Sequence, residues 1–288
     1  MYLKEFIHYI QSEKRYSDHT ITSYKVDLNQ FFNFLIEEYN IDHPQNVNFK
    51  IVRNWISYLL ESGLKARSVN RKISTLKSYF RFLVISNYSD SNPTLKITSP
   101  KTSKRLPVFI EQDKINSLLD ANFFDDNFRG HRDKLILELF YFTGIRLSEL
   151  LNISISDIDF NNSQIKVLGK RNKERLIPLT YSLISELKHF INKYNICDYL
   201  FVDENKKKLY SKKVYRIVNK YISKVSSLKK KSPHILRHSF ATHMLNNGAD
   251  INAIKEILGH SNLSATQIYT HNSIKKLKNV HKQAHPKA

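Results

Sequence analysis

At 288 residues and 41% hydrophobic content the chain is long enough for two folded domains and too apolar to be disordered. Lys and Arg number 46 against 26 Asp and Glu, a formal charge of +20, which points to a polyanion partner, nucleic acid before a membrane surface. The single cysteine, Cys197, excludes an internal disulfide and a Cys-rich zinc site, the absence of a GxxxxGK[ST] stretch excludes a phosphate loop, and no apolar run approaches the roughly 20 residues of a membrane span.

Residues 1–88 read as helices, and the opening MYLKEFIHYIQSEKRY carries acidic residues where a signal peptide would be apolar, so the chain is expected to be cytoplasmic. In DHTITSYKVDLNQFFNFLIEEY a cap at Asp18 or Thr20 precedes Ile21, Tyr24, Leu28, Phe31, Phe32 and Leu35 at helical spacing. A second helix is expected from Val52 to Leu60, closed by Gly63. A third, KARSVNRKISTLKSYFRFLVIS, places Val69, Ile73, Leu76, Phe80 and Leu83 on one face and Lys65, Arg67, Arg71, Lys72, Lys77 and Arg81 on the other. No acidic residue is interleaved on that basic face, so it is expected to meet a DNA backbone.

Residues 89–107, SDSNPTLKITSPKTSKRLP, break the periodicity with prolines, Ser, Thr and Lys and read as an interdomain linker. A second domain then spans 108–288. It opens with a helix near Glu111 and continues through RDKLILELFYFTGIRLSELLNIS, an apolar helix interrupted at Thr143-Gly144. QIKVLGKRNKERLIPL alternates apolar and polar residues about a glycine-containing turn, the pattern of a hairpin, and the pattern is helical again from residue 181. Between Lys206 and Lys231 stand 11 Lys or Arg and no acid, with Lys212, Lys213 and Arg216 among the candidate phosphate contacts.

Four separated stretches carry residues suited to a phosphodiester. In TGIRLSEL, Arg146 follows a glycine at the start of a helical turn, where backbone N–H groups and a guanidinium can meet an anion. In LGKRNKERLIPL, Lys170 stands in the hairpin turn. In PHILRHSFATHML, His234 and Arg237 are three apart and share a helix face. A zinc site built from His234, His238 and His243 is disfavoured, since no HExxH is present and neither a cysteine nor a further carboxylate is near. In LGHSNLSATQIYTH, His260 follows a helix-ending glycine and Tyr269 stands nine residues on. A phenol attacks phosphorus only where cations stabilise the developing charge, and two Arg, a Lys and one or two His suffice without a metal.

TGIRLSEL, LGKRNKERLIPL and HILRHSFATHMLNNGADINAIKEILGHSNLSATQIYTH resemble the signature boxes of the tyrosine recombinases, the phage-integrase family, and most resemble the bacterial Xer recombinases. NRKISTLKSYFRFL and the following NP…SPKTSKRLP resemble that group's N-terminal domain and linker. The resemblance implies a mainly α protein: a helical, SAM-like DNA-binding domain and an α-rich catalytic domain with a small antiparallel β-sheet, the tyrosine recombinase fold. It also implies roles. Arg146 and Arg237 clamp the scissile phosphate, Tyr269 is the nucleophile, Lys170 the general acid, His234 assists proton transfer and His260 hydrogen-bonds the phosphate. Glu149 is either a supporting acid that orients the site or a surface ion-pair partner. No cofactor or metal is implied.

The partners implied are a double-stranded DNA recombination site, a homo- or hetero-tetramer with a related recombinase, and an FtsK-like translocase. The segment NSIKKLKNVHKQAHPKA resembles one that such subunits donate to a neighbour. Chromosome-dimer resolution at cell division is the expected task, with a mobile-element integrase, a type IB topoisomerase and a non-catalytic basic DNA-binding protein as alternatives. One departure stands in the hairpin turn, where Arg171 replaces a glycine common in the family; if that position needs positive φ, the turn is strained, and Lys173 competes with Lys170 as the acid.

Overall fold

A computed structural model describes residues 1–102, 108–120, 122–169, 173–259, 280–281 and 283–286. The chain divides into two compact units, Met1–Arg105 and Leu106–Ala288. Among the described residues no helix is long and apolar enough to cross a membrane.

Among its described residues the first unit has four α-helices, α1 (Leu3–Ser12), α2 (Asp18–Tyr39), α3 (Phe49–Glu61) and α4 (Ala66–Ile85). Helix α2 is capped by Ser17, one residue before the expected positions, its Oγ accepting from Thr20 N, and Asn48 Oδ1 caps α3 through Ile51 N at 3.1 Å. Leu28, Phe31, Trp55, Leu76, Phe80 and Leu83 are buried together. Edge-on contacts such as Phe31–Trp55, at 4.9 Å between ring centroids, add about 0.5–1.5 kcal/mol beyond burial. Ile97, in the stretch read as linker, belongs to this core, and Lys77 Nζ donates to its carbonyl at 3.0 Å.

The basic face of α4 differs from its expected form. Asp27 of α2, 1% exposed, accepts from Lys72 Nζ at 2.9 Å, from Thr75 Oγ1 at 3.0 Å and from the half-exposed Arg71. Lys72 also donates to Gln30 and is itself 4% exposed. Lys72 is therefore corrected from a DNA contact to a buried structural cation, because a long-range carboxylate draws its ammonium inward. Lys65, Arg67, Lys77 and Arg81 are exposed. Lys72→Met lowers the stability of the chain by about 1.5–3 kcal/mol, the usual value of a hydrogen bond to a charged group, in urea unfolding. DNA affinity and its salt dependence stay as in the wild type; a weaker, less salt-sensitive complex would restore Lys72 to the interface.

The second unit is built on α6 (Phe128–Thr143), which buries Leu135, Ile136, Leu139 and Phe140 among residues on several sides. Around it lie α5 (Gln112–Asp120), α7 (Leu147–Asn152), α8 (Tyr181–Tyr194), α9 (Ser211–Val225), α10 (Pro233–Asn246) and α11 (Ile251–Leu258). The expected hairpin is β2 (Gln164–Leu168) with β3 (Glu174–Pro178), and a two-residue strand β1 (Ile158–Asp159), not anticipated, extends it to an antiparallel sheet in the order β1-β2-β3. The register Val167↔Arg175 and Ile165↔Ile177 sends these four side chains inward. Near the C-terminus, His281 Nε2 donates to Phe142 O at 2.6 Å and His285 Nε2 to Tyr141 O at 3.2 Å. These described tail residues thus meet carbonyls at the end of α6 of their own chain.

Candidate active site

The site forms where α6 stops. Gly144 takes the left-handed conformation, φ +60°, and ends the helix, and a Cβ at that position would lie 2.6 Å from Phe240 Cδ1 of α10 and 2.7 Å from Leu258 Cδ2 of α11. Only glycine lets the three helices converge there. Arg146 follows as the N-cap of α7, and Glu149, in the first turn, accepts from Arg146 N at 2.8 Å and from Arg146 Nη1 at 2.7 Å. Glu149 is 3% exposed, so it is no surface ion-pair partner.

A third arginine completes the carboxylate's shell. Arg175 of β3 grips Glu149 in a fork, Nη1 to Oε1 at 2.7 Å and Nη2 to Oε2 at 2.8 Å, and is 4% exposed. Arg175 was not among the residues singled out from the sequence. The signal was available in strand parity: in ERLIP the arginine is two residues from Ile177 and must face the same way.

The last turn of α11 ties the guanidiniums together. Its consecutive carbonyls accept from three different arginines: Ile257 O from Arg175 Nε at 2.9 Å, Leu258 O from Arg237 Nη2 at 2.8 Å, and Gly259 O from Arg146 Nη2 at 2.8 Å. These are the carbonyls a helix leaves without intrahelical partners, at the negative end of its dipole. Arg237 Nη1 also donates to Gly144 O. Arg146 and Arg237 are thus fixed on adjacent carbonyls while retaining further N–H groups, and Arg146 keeps 28% of its side chain exposed.

Electrostatics sharpen the arrangement. Burial alone raises the Glu149 carboxyl, but the hydrogen bonds and charge of Arg175, then the backbone N–H and guanidinium of Arg146, outweigh it and hold the group at about 2. Burial first, then the like charges of Arg146 and Arg175, push the Arg237 guanidinium below its usual value, against the pull of Glu149. Two guanidiniums bond one carboxylate and a third, Arg237, stands beside them, so the cluster carries uncompensated positive charge that an anion would relieve.

The structure brings Arg146, Glu149 and Arg237 together. His234 stands exposed in the first turn of α10, three residues before Arg237, with Pro233 beginning the helix. Lys170, Arg171, His260 and Tyr269 lie outside the described residues; Gly169 and Gly259, which precede Lys170 and His260, both stand against the cluster. Lys173 is exposed and engages Gly169 N through its backbone carbonyl. His243 is buried, with Nδ1 3.0 Å from Tyr141 Oη, a packing role. On α9, Lys212 and Arg216 are exposed and Lys213 is half-buried, whereas Lys208 is drawn to Asn152 Oδ1 and over the Tyr199 ring.

A helical unit followed by an α-rich unit with a small antiparallel sheet, and two guanidiniums anchored on adjacent carbonyls at the end of α11, is the arrangement that the resemblance to the tyrosine recombinases implies. The chain belongs to the phage integrase family: the pattern described as Phage integrase family matches residues 108–276, and that of the phage integrase N-terminal SAM-like domain matches 3–87. It is 38% identical to the tyrosine recombinase XerC of Oceanobacillus iheyensis, covering 100% of this chain and 97% of that one. It is 36% identical to the tyrosine recombinase XerD of Staphylococcus epidermidis, covering 99% of each. In fold it resembles the XerH site-specific recombinase bound to a palindromic difH substrate, with a TM-score of 0.71 at 23% identity over 90% of this chain and 78% of that one.

Proposed function

We propose that the chain is a Xer-type site-specific recombinase that cuts and rejoins duplex DNA through a 3′-phosphotyrosyl intermediate. The observation that carries the reading is the pair Arg146 and Arg237, held on adjacent carbonyls of α11 with spare N–H groups and an excess of positive charge. Such a pair binds the non-bridging oxygens of a phosphodiester and stabilises the charge of its pentacoordinate transition state. Tyr269 Oη attacks phosphorus as the P–O5′ bond breaks, and Lys170 delivers the proton that the 5′-oxygen takes. His234 assists transfer of the phenolic proton, and His260 hydrogen-bonds the phosphate. The bond energy stays in the phosphotyrosyl ester, so a 5′-hydroxyl of a partner strand can reverse the step without ATP.

Residues 1–88 serve as the core-DNA-binding domain, 89–107 as the linker and 108–288 as the catalytic domain. Lys65, Arg67, Lys77, Lys212, Lys213 and Arg216 are the phosphate contacts, with Arg71 divided between DNA and Asp27. The active assembly is a tetramer, alone or with a related recombinase, working in the cytoplasm on chromosome dimers at the call of an FtsK-like translocase. Relatives named XerC and XerD that match over nearly the whole of both chains favour this over a mobile-element integrase.

Nicked suicide DNA carrying candidate sites tests the reading. The expected result is a covalent adduct on a denaturing gel in the presence of a chelator, with the nucleotide on the peptide that contains Tyr269. No adduct on any site, or linkage to another peptide, would sink it. Binding should weaken with salt at a log–log slope of about −0.9 per phosphate neutralised.

A further inference from the structure

Arg175 is a charged member of the cluster to which the proposed reaction gives no task. Its fork and its Nε are committed, to both oxygens of Glu149 and to Ile257 O. Each Glu149 oxygen is shared between the two arginines: Oε1 accepts from Arg146 Nη1 and Arg175 Nη1, Oε2 from Arg146 N and Arg175 Nη2. Gly259 lies so close that a Cβ there would stand 3.1 Å from Arg175 Cδ and 3.2 Å from its Cζ and Nε. The side chain therefore joins β3, the first turn of α7 and the last turn of α11 through one planar group.

We propose that Arg175 is a positioning residue for strand cleavage: by fixing the Glu149 carboxylate and the end of α11 it sets where the guanidiniums of Arg146 and Arg237 meet the phosphate. The inference rests on the reading of those two arginines as phosphate ligands. Without Arg175, Glu149 keeps only the backbone N–H and the guanidinium of Arg146, and the carbonyl ladder that carries Arg237 and Arg146 loses this link to the sheet. Displacement of about 1 Å at a reacting centre costs about 100-fold in rate, so loosening the ladder reaches the chemistry without removing a phosphate ligand.

The pH profile separates positioning from bulk packing. The charged groups facing Glu149 are Arg146 at the cap of α7, Arg175 on β3 and Arg237 on α10, all cationic. Burial raises the carboxyl and Arg175 is the chief group opposing it, so removing Arg175 lets Glu149 protonate at a higher pH. Cleavage by the variant then gains an acid limb, from protonation of Glu149, that the wild type does not show in the same range.

The test uses the full chain and nicked suicide DNA, comparing wild type, Arg175→Met and Arg175→Lys, each also in an Arg146→Lys background, with single-turnover adduct formation and DNA affinity as readouts. Arg175→Met is expected to slow adduct formation by about 10–100-fold, with affinity within about threefold of wild type and a new acid limb in its rate profile. Arg175→Lys recovers part of the rate, since an ammonium replaces the charge but not the fork. In the Arg146→Lys background the loss shrinks, because its target is already displaced. Should Arg175→Met not fold, Arg175→Lys alone carries the comparison, with a smaller loss and the same dependence on Arg146. Wild-type rates in both variants, or a loss equal at every pH and in both backgrounds, overturn the proposal while leaving the recombinase reading intact. Absence of an adduct from the wild type overturns the recombinase reading, and this role with it.

Discussion

Arg237→Ala is expected to lower the single-turnover rate of adduct formation by about 10²–10³-fold, the loss typical of one preorganised donor to a developing oxyanion. The structure explains why this donor is costly to lose. Its guanidinium is aimed before DNA arrives, with Nη2 on Leu258 O at 2.8 Å and Nη1 on Gly144 O, so no reorganisation is needed at the transition state. It is also under electrostatic pressure in the free protein, because burial and the neighbouring charges of Arg146 and Arg175 disfavour its charged form. A phosphate that gains charge during the reaction relieves that pressure more than the ground-state phosphodiester does, which is the differential binding that catalysis requires. Arg237→Lys keeps a charge but cannot hold two carbonyls and a phosphate oxygen in one plane, so a loss of about 10–100-fold is expected.

Stability should stay nearly level while activity falls. Arg237→Ala gives up two carbonyl hydrogen bonds but removes a like charge from a cluster of three, and these changes offset each other to within about 1 kcal/mol. Unfolding in urea alongside the cleavage assay distinguishes this from collapse of the site. An inactive variant that has also lost several kcal/mol would mean that Arg237 is a structural residue.

What the sequence made legible follows from the range of the interactions concerned. The break at Thr143-Gly144 and the hairpin around residue 169 are local, set by a glycine in the left-handed region and by two-residue periodicity, and both appear where the pattern placed them. Strand β1 is too short to show a period and exists because β2 offers it an edge. Lys72 was misplaced for a related reason. Helix α4 carries no acid among its basic residues, but Asp27, 45 positions away on α2, supplies one, and a helix read alone cannot reveal a partner on another helix. Arg175 was hidden by its chemistry rather than its position. Strand parity pointed it inward, yet an arginine in a basic protein reads as surface until the carboxylate that holds it, Glu149, is seen on a different element.

Glu149 is the member of the arginine cluster whose loss should cost the fold most. In Glu149→Ala, Arg175 remains 4% exposed in its surroundings with only Ile257 O to satisfy it, and three guanidiniums lose the one carboxylate among them. Removing one partner of a buried ion pair typically costs about 3–5 kcal/mol, and a value in that range is expected in denaturant unfolding of the second unit. The pH dependence tests the role of the same carboxylate in the intact chain. The carboxyl sits at about 2 in the folded chain and near its ordinary value of 4.5 when unfolded, so the folded state favours the ionised form. The sign is that of a depressed acid: the stabilisation is complete above about pH 4.5 and is lost as pH falls towards 2. A separation of that size corresponds to roughly 3 kcal/mol of pH-dependent stability. Glu149→Gln retains the shape and part of the hydrogen bonding but cannot titrate, so its stability should run more nearly parallel to the pH axis over the same window. If wild type and Glu149→Gln lose stability in parallel between pH 4.5 and 2, the carboxylate is not the keystone of the arginine cluster.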